Sequence, residues 1–174
     1  MYNISILFQR FLFLISTDLC LKTMEEFSGL TIQTKASVTN GIEDISDIHV
    51  RTKTCSICDR LTSLNVHSNI CQQTNITVVC MNRFQWSPQG GSAKNHALVY
   101  CDPFIYIPPM AGSLVGLVLH KGATRASGHY ISIVKAKNMW YYCDDSHVTI
   151  ISDIHRILHS REVYLLFYVK DCMY

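Results

Sequence analysis

Gly128-His129-Tyr130-Ile131-Ser132-Ile133-Val134-Lys135, followed after a short break by Met139-Trp140-Tyr141-Tyr142-Cys143-Asp144-Asp145, is the stretch on which the reading of this chain turns. Both halves are rich in β-branched and aromatic residues, so both read as strands. Ala136-Lys137-Asn138 between them is short enough for a hairpin turn. With Ala136 and Lys137 in the loop, His129 faces Asp144, Ile131 faces Tyr142 and Ile133 faces Trp140. Side chains alternate along each strand, so these six share one face. A slip in the turn would move every pair. An imidazole and a carboxylate then stand side by side at the open end of an apolar stripe. The carboxylate fixes which ring nitrogen carries the proton and stabilises the imidazolium once the other nitrogen is protonated. That is the rear half of a nucleophilic triad; it is also how a half-buried structural histidine is satisfied.

The residues around the hairpin extend the pattern. Leu114-Val-Gly-Leu-Val-Leu-His120-Lys-Gly122 precedes it, Ser127-Gly128-His129-Tyr130 opens it, and Trp140 to Val148 and Tyr164-Leu165-Leu166-Phe167-Tyr168 follow. In order and spacing this resembles the C-terminal His box of the ubiquitin-specific proteases, papain-like cysteine proteases that cut after the C-terminal glycine of ubiquitin. The resemblance implies an α+β fold: the family's fingers and palm, a mainly antiparallel β-sheet with few helices, with the thumb subdomain missing. It implies His129 as general base, Asp144 as its orienting carboxylate and Asp145 as a second polar contributor. It also implies a channel for ubiquitin's C-terminal tail, lined by His120, Gly128 and Tyr130. Gly128 would allow close backbone approach there. Cys143 stands where the family usually has Phe.

Bulk properties bound the alternatives. A chain of 174 residues holds one domain with a real core, and 48% hydrophobic with 16% charged residues describes a globular protein. A formal net charge of +2, with no basic run, argues against nucleic acid. Phe11-Leu12-Phe13-Leu14-Ile15 follows Arg10, but it is far shorter than the roughly twenty residues a spanning helix needs. It also lacks a small-x-small cleavage site, so residues 4–15 read as a core-facing helix or strand. No membrane is expected. Among the eight cysteines only Cys55 and Cys58 are closely spaced, which favours thiols in a reducing, intracellular setting over a disulfide framework.

Taken in order, Cys20-Leu21-Lys22-Thr23 and the Met24 to Leu30 segment loosely resemble the start of the family's zinc-bearing fingers, with Thr23 at the second cysteine. Leu30 to Thr34 alternates as a strand, and Ile42 to Val50 reads as a short helix. Thr54-Cys55-Ser56-Ile57-Cys58 gives one Cys-x-x-Cys knuckle. Zinc takes four ligands, usually from two such knuckles; Cys20, Cys55 and Cys58 make three sulfurs, and His49 or His67 is a candidate fourth. Structural zinc is the cofactor expectation, with none required for catalysis, and the other reading is a vestigial knuckle without metal. Asn75 to Trp86 is a strand resembling the family's Leu-x-Arg-Phe element at Arg83-Phe84. Short strands follow at Ala97 to Tyr100 and Phe104 to Ile107, where the family also has a preceding Lys, here Lys94. Ile150 to Leu158 spaces its apolar residues as a helix capped by Ser152. Val163 to Val169 is a final buried strand. The whole chain, 1–174, is then expected to be a partial catalytic domain, fingers-like over about 16–75 and palm over 76–174.

A cysteine protease also needs a thiolate and an oxyanion hole. The family supplies both in a Gly-x-x-Asn-x-Gly-Asn-Thr-Cys-Tyr segment opening a helix, and these 174 residues contain no such segment. The enzyme assignment therefore stays open. The expectation is deubiquitination by resemblance, with ubiquitin or ubiquitinated proteins as partner and no activity of this chain alone. It would be a fragment or an inactive relative. The alternatives are a noncatalytic ubiquitin-binding or scaffold module and a zinc-organised structural domain.

Overall fold

A computed structural model of the chain describes residues 27–33, 37–39, 42–43, 49–66, 75–86, 92–124 and 127–170. The readings made for residues 4–15, Cys20, Thr23 and His67 fall outside them. In chain order the described elements are β1 (Phe27–Gln33), β2 (His49–Thr54), β3 (Leu61–Val66), β4 (Ile76–Asn82), β5 (Phe84–Trp86), β6 (Ser92–Lys94), β7 (Val99–Tyr100) and β8 (Phe104–Ile107). There follow β9 (Met110–Thr124), β10 (Ser127–Ala136), β11 (Met139–Asp144), β12 (His147–Ile151), α1 (His155–Leu158), β13 (His159–Ser160) and β14 (Val163–Val169).

The main sheet runs β1-β4-β14-β9-β10-β11-β12, with β8 added along β9. Its pairs are antiparallel except β1 with β4, which is parallel. The expectation of a mainly antiparallel sheet with few helices holds. β9 is the spine: at 15 residues it pairs with β8, β14 and β10 at once. Its buried positions run Met110, Gly112, Leu114, Gly116 and then Leu117, Leu119 and His120. The change from even to odd coincides with an irregularity in the β14 pairing, where Gly116 opposes Phe167 but Leu114 opposes Tyr168. An extra residue in one strand turns the following side chains to the other face.

One face of the sheet carries the larger core. Leu114, Leu117 and Leu119 meet Ile131 and Ile133 of β10, Leu166 and Tyr168 of β14 and Val79 and Met81 of β4. Val38, Ile42, Val99, Cys101, Ile105 and Leu158 complete that cluster. The opposite face buries Val134 and Phe167 among Val78, Val115, Val118 and Leu165.

Arg83, between β4 and β5, is fully buried and donates to four main-chain carbonyls. They are Val163 at 2.5 Å, Asn95 and Ala97 at 2.9 Å and Ser160 at 3.2 Å. A guanidinium offers five N–H donors in a fixed plane, so it can tie several segments whose carbonyls would otherwise be buried unpaired.

Two local expectations are corrected. Ile150 and Ile151 belong to β12, not to a helix, and the helix is confined to His155–Leu158. Ser152 does not cap it; the Asp153 carboxylate accepts from the His155 N–H at 3.0 Å. β-Branched pairs suit the pleat better than a helical turn. Val50, expected at the end of a helix, lies in β2, and β2 pairs β3 as a separate two-stranded ribbon. β1 pairs residue by residue with β4 in the main sheet.

Candidate active site

The β10–β11 hairpin turns at Lys137-Asn138, with φ of 48° and 63°. Two successive left-handed residues make a type I′ turn, whose twist matches that of the flanking strands. Ala136 pairs with Met139, Lys135 with Trp140, Ile133 with Tyr142 and Ser132 with Cys143. The expected register, with Ala136 in the loop, is thus displaced by two residues. Asn tolerates the left-handed region where Ala does not, and that decides the turn. A displacement of two preserves the faces, because side chains alternate with period two.

His129 and Asp144 consequently still meet, diagonally rather than directly across. The His129 Nε2 atom lies 2.5 Å from Asp144 Oδ1. Both side chains are half open to solvent, at 44% and 36% exposure, so the pair can be reached from outside. A carboxylate only accepts, so in the neutral ring Nε2 carries the proton and Nδ1 is left as the basic nitrogen. That division of labour is what a general base requires.

Asp145 follows in the tight turn to β12, exposed and at φ 51°. One ligand atom from each of His129, Asp144 and Asp145 lies within 4.8 Å of the others. The three expected catalytic residues are therefore gathered at one edge of the hairpin. Nearby, Lys121 Nζ donates to the Tyr142 hydroxyl at 3.5 Å.

The three residues expected to line a channel occupy different depths. Gly128 is exposed, Tyr130 is half-buried, and His120 is 1% exposed. The His120 ring lies beneath Gly128: a Cβ built there would collide with His120 Nε2. Its ring centroid stands 4.8 Å from Tyr130, 5.4 Å from Phe84 and 6.2 Å from Tyr164. Neither ring nitrogen has a hydrogen-bonding partner. Burial, and then the nearby Lys94 charge, lower its pKa from the usual 6.5, with Glu162 opposing.

Lys94 and Glu162 were not read as site residues. Lys94 is buried and its ammonium reaches both the Glu162 carboxylate and the His120 carbonyl. The His120 N–H in turn donates to the Glu162 carbonyl at 2.8 Å. The lysine preceding the short strand at Ala97 to Tyr100 was the available signal; nothing in the sequence picked out Glu162.

At the β2–β3 tip the Cys55 N–H donates to the Arg60 carbonyl at 2.8 Å, and the Asp59 N–H to the Cys55 carbonyl at 2.9 Å. Asp59 takes φ 56°. This closes a knuckle in which the N–H groups of Ile57 and Cys58 and the Cys58 thiol point at the Cys55 sulfur. They lower its pKa from the usual 9.0. A thiol so lowered gives up its proton more readily for a metal such as zinc. Cys55 and Cys58 fit half of a tetrahedral zinc set. Among the described residues no third ligand joins them, and Cys20 lies outside the described residues.

The ubiquitin carboxyl-terminal hydrolase family model matches residues 17–168. Human ubiquitin carboxyl-terminal hydrolase 42 is 31% identical over 124 residues, 67% of this chain and 9% of that protein. Ubiquitin carboxyl-terminal hydrolase 4 of Arabidopsis thaliana is 28% identical over 140 residues, 72% of this chain and 38% of that protein. The chain thus spans well under half the length of these relatives. Among solved structures, the SAGA Ubp8/Sgf11/Sus1/Sgf73 DUB module bound to ubiquitin aldehyde superimposes with a TM-score of 0.67 at 19% identity. That match covers 83% of this chain and 36% of the other. The fold, the His–Asp edge of its hairpin and a family match over most of the sequence agree: the chain belongs to the ubiquitin carboxyl-terminal hydrolase family.

Proposed function

We propose that this chain carries the base and orienting carboxylate of a thiol-dependent hydrolase that cuts after the C-terminal glycine of ubiquitin. The supporting observation is the His129 Nε2 to Asp144 Oδ1 contact at 2.5 Å on an accessible sheet edge. His129 Nδ1 would take the thiol proton and return it to the leaving amine. Asp144 would hold the tautomer and stabilise the imidazolium, with Asp145 beside it. Ubiquitin's tail would pass over Gly128 and Tyr130 toward His129, which makes ubiquitin the partner.

Cys101, Cys143 and Cys55 are each poorly suited as nucleophile. Burial pushes Cys101 up to about 12 and raises Cys143, and a raised thiol is a poor thiolate. Cys55 is favourable as thiolate but stands at the tip of the separate β2–β3 ribbon. The 174 residues alone are therefore inactive on this reading. The test is turnover of a ubiquitin–fluorophore substrate, with and without a thiol alkylating agent. No turnover is expected from the chain alone, and alkylation-sensitive turnover from a longer chain that adds a Gly-Asn-Thr-Cys segment. Robust, alkylation-sensitive hydrolysis by the 174 residues would overturn the proposal. Ubiquitin binding without turnover in the longer chain would leave a noncatalytic ubiquitin-binding module.

The thiolate-favouring knuckle supports a second proposal: Cys55 and Cys58 take structural zinc together with ligands beyond the described residues. Metal content after purification without chelator tests it; zinc unchanged by Cys55→Ser would reject it. Cys55, Cys58, Cys101 and Cys143 are thiols, which fits an intracellular protein, and no described helix is long and apolar enough to cross a membrane.

A further inference from the structure

We propose that His120 is a positioning residue for His129: its imidazole is the seat on which the Gly128 backbone rests, and that seat aims the His129 ring at Asp144. The inference rests on the reading of His129 as base, and it assigns His120 a place beneath the substrate path instead of along it.

The backbone says how the seat works. β9 and β10 lose register between Ser127 and His129: Ser127 opposes Thr124, whereas His129 opposes Lys121. Gly122 and Ala123 together therefore face Gly128 alone. Such a bulge bends β9 and increases its local twist directly opposite Gly128, the residue that precedes His129. Two glycines close on the His120 ring at this point. A Cβ on Gly128 would collide with His120 Nε2 and lie 2.8 Å from the Lys121 carbonyl. A Cβ on Gly122 would lie 2.5 Å from the Ser127 carbonyl, 2.8 Å from the Gly128 Cα and 3.1 Å from His120 Cε1. Bare backbone on both strands is what lets them touch the imidazole.

The seat itself is held from three sides. Phe84 meets the ring edge-on, with Tyr130 and Tyr164 beside it. The strand beneath is pinned by Lys94 on the His120 carbonyl, by Glu162 on Lys94, and by the His120 N–H on the Glu162 carbonyl. Among the described residues both ring nitrogens are buried without a hydrogen-bond partner, so the ring itself is placed by its shape and packing. A change in height at Gly128 passes directly to the adjacent His129, whose bond to Asp144 weakens steeply with distance and angle.

The experiment uses the 174-residue chain and reads the ring nitrogen signals of His129 by NMR at neutral pH. One protonated and one bare nitrogen give two widely split signals; a ring freed from Asp144 averages between tautomers and the split collapses. The paired substitution Asp144→Ala with Asp145→Ala, which removes both orienting acceptors, comes first. If it leaves the split intact, the base-and-orienter reading fails, whatever His120 does. If it collapses the split, His120→Ala is expected to collapse it as well, since the variant removes the seat without adding atoms. Gly128→Ala should do the same by collision, and the double variant should recover part of the split, because the new methyl group then occupies the space the ring left. Leu166→Ala, in the core of β14, controls for general destabilisation and should lower the melting temperature without moving the His129 signals. Should Gly128→Ala not fold, His120→Ala against Leu166→Ala still decides. A His129 split unchanged in His120→Ala, or one lost equally in Leu166→Ala, overturns the proposal, as does a folded double variant no better than Gly128→Ala alone.

Discussion

At the residue scale the chemistry depends on which atom of His129 is committed. Nε2 lies 2.5 Å from Asp144, which leaves Nδ1 for the proposed role of base. In a longer, active chain His129→Ala is expected to lower kcat by about 10²–10⁴-fold, the usual worth of a positioned acid–base group. Asp144→Asn should cost less and unevenly, because Asp145 lies in the same cluster and can share the orienting role. Steady-state rates for Asp144→Asn with and without Asp145→Asn check this; strict independence of the two substitutions would contradict it. His120 gives a pH dependence. Its folded pKa is lowered, so the unfolded chain binds the proton first as pH falls. Stability from this group is present above its unfolded value near 6.5 and is lost on acidification toward the lower folded one. The charged groups facing it are Lys94 and Glu162, with the Tyr130 and Tyr164 phenols alongside. Melting temperature should fall from pH 7 to pH 5, and His120→Leu should flatten that slope; an unchanged slope would remove His120 as its source.

At the scale of elements the turn is the instructive case. Strand identity, the shared face and the His–Asp meeting were all legible from alternation in Gly128 to Asp144. The exact pairing was not, because it hangs on whether Ala136 or Asn138 enters the loop, a choice worth only the left-handed cost of one residue. That cost is about 1–2 kcal/mol, so Asn138→Val should destabilise by roughly that amount and Asn138→Gly should be neutral or mildly stabilising. Chemical denaturation of both variants measures it; equal stability would argue that the turn tolerates either register. The bulge under His129 was illegible for a different reason. Its cause is contact among Gly122, Gly128 and His120 across two strands, and neither glycine announces which ring it packs on. The helix reading of Ile150-Ile151 failed because a helical spacing of apolar residues also fits the last positions of an edge strand followed by a turn. Arg83 shows the same limit from inside the core. Its place in the chain was clear, but its four carbonyl partners come from three separate segments. Arg83→Met keeps the length of the side chain and leaves those carbonyls unpaired, an expected loss on the order of 3–5 kcal/mol. Denaturant midpoints would read it, and a loss under about 1 kcal/mol would mean the carbonyls find water instead.

At the scale of the whole molecule the described parts separate by what holds them. The main sheet has a core on each face, whereas β2 and β3 form a ribbon on their own, with Val50, Leu61 and Leu64 exposed along it and Ile57 at its tip. An isolated two-stranded hairpin is marginal in water, so this one needs a further constraint. The knuckle supplies a place for it on the zinc proposal, since metal binding to a pair of cysteines contributes directly to folding free energy. Chelation is therefore expected to act on one part of the molecule only. Amides of His49–Val66 should lose hydrogen-exchange protection when a zinc chelator is added, while Leu117, Ile133 and Leu166 keep theirs. Cys55→Ser should reproduce the pattern without chelator. The His129–Asp144 edge belongs to the main sheet, so its NMR signals should stay put in both experiments. Uniform loss of protection across ribbon and sheet would show that the two are one cooperative unit, and unchanged protection in the ribbon would show that its thiols do not hold it.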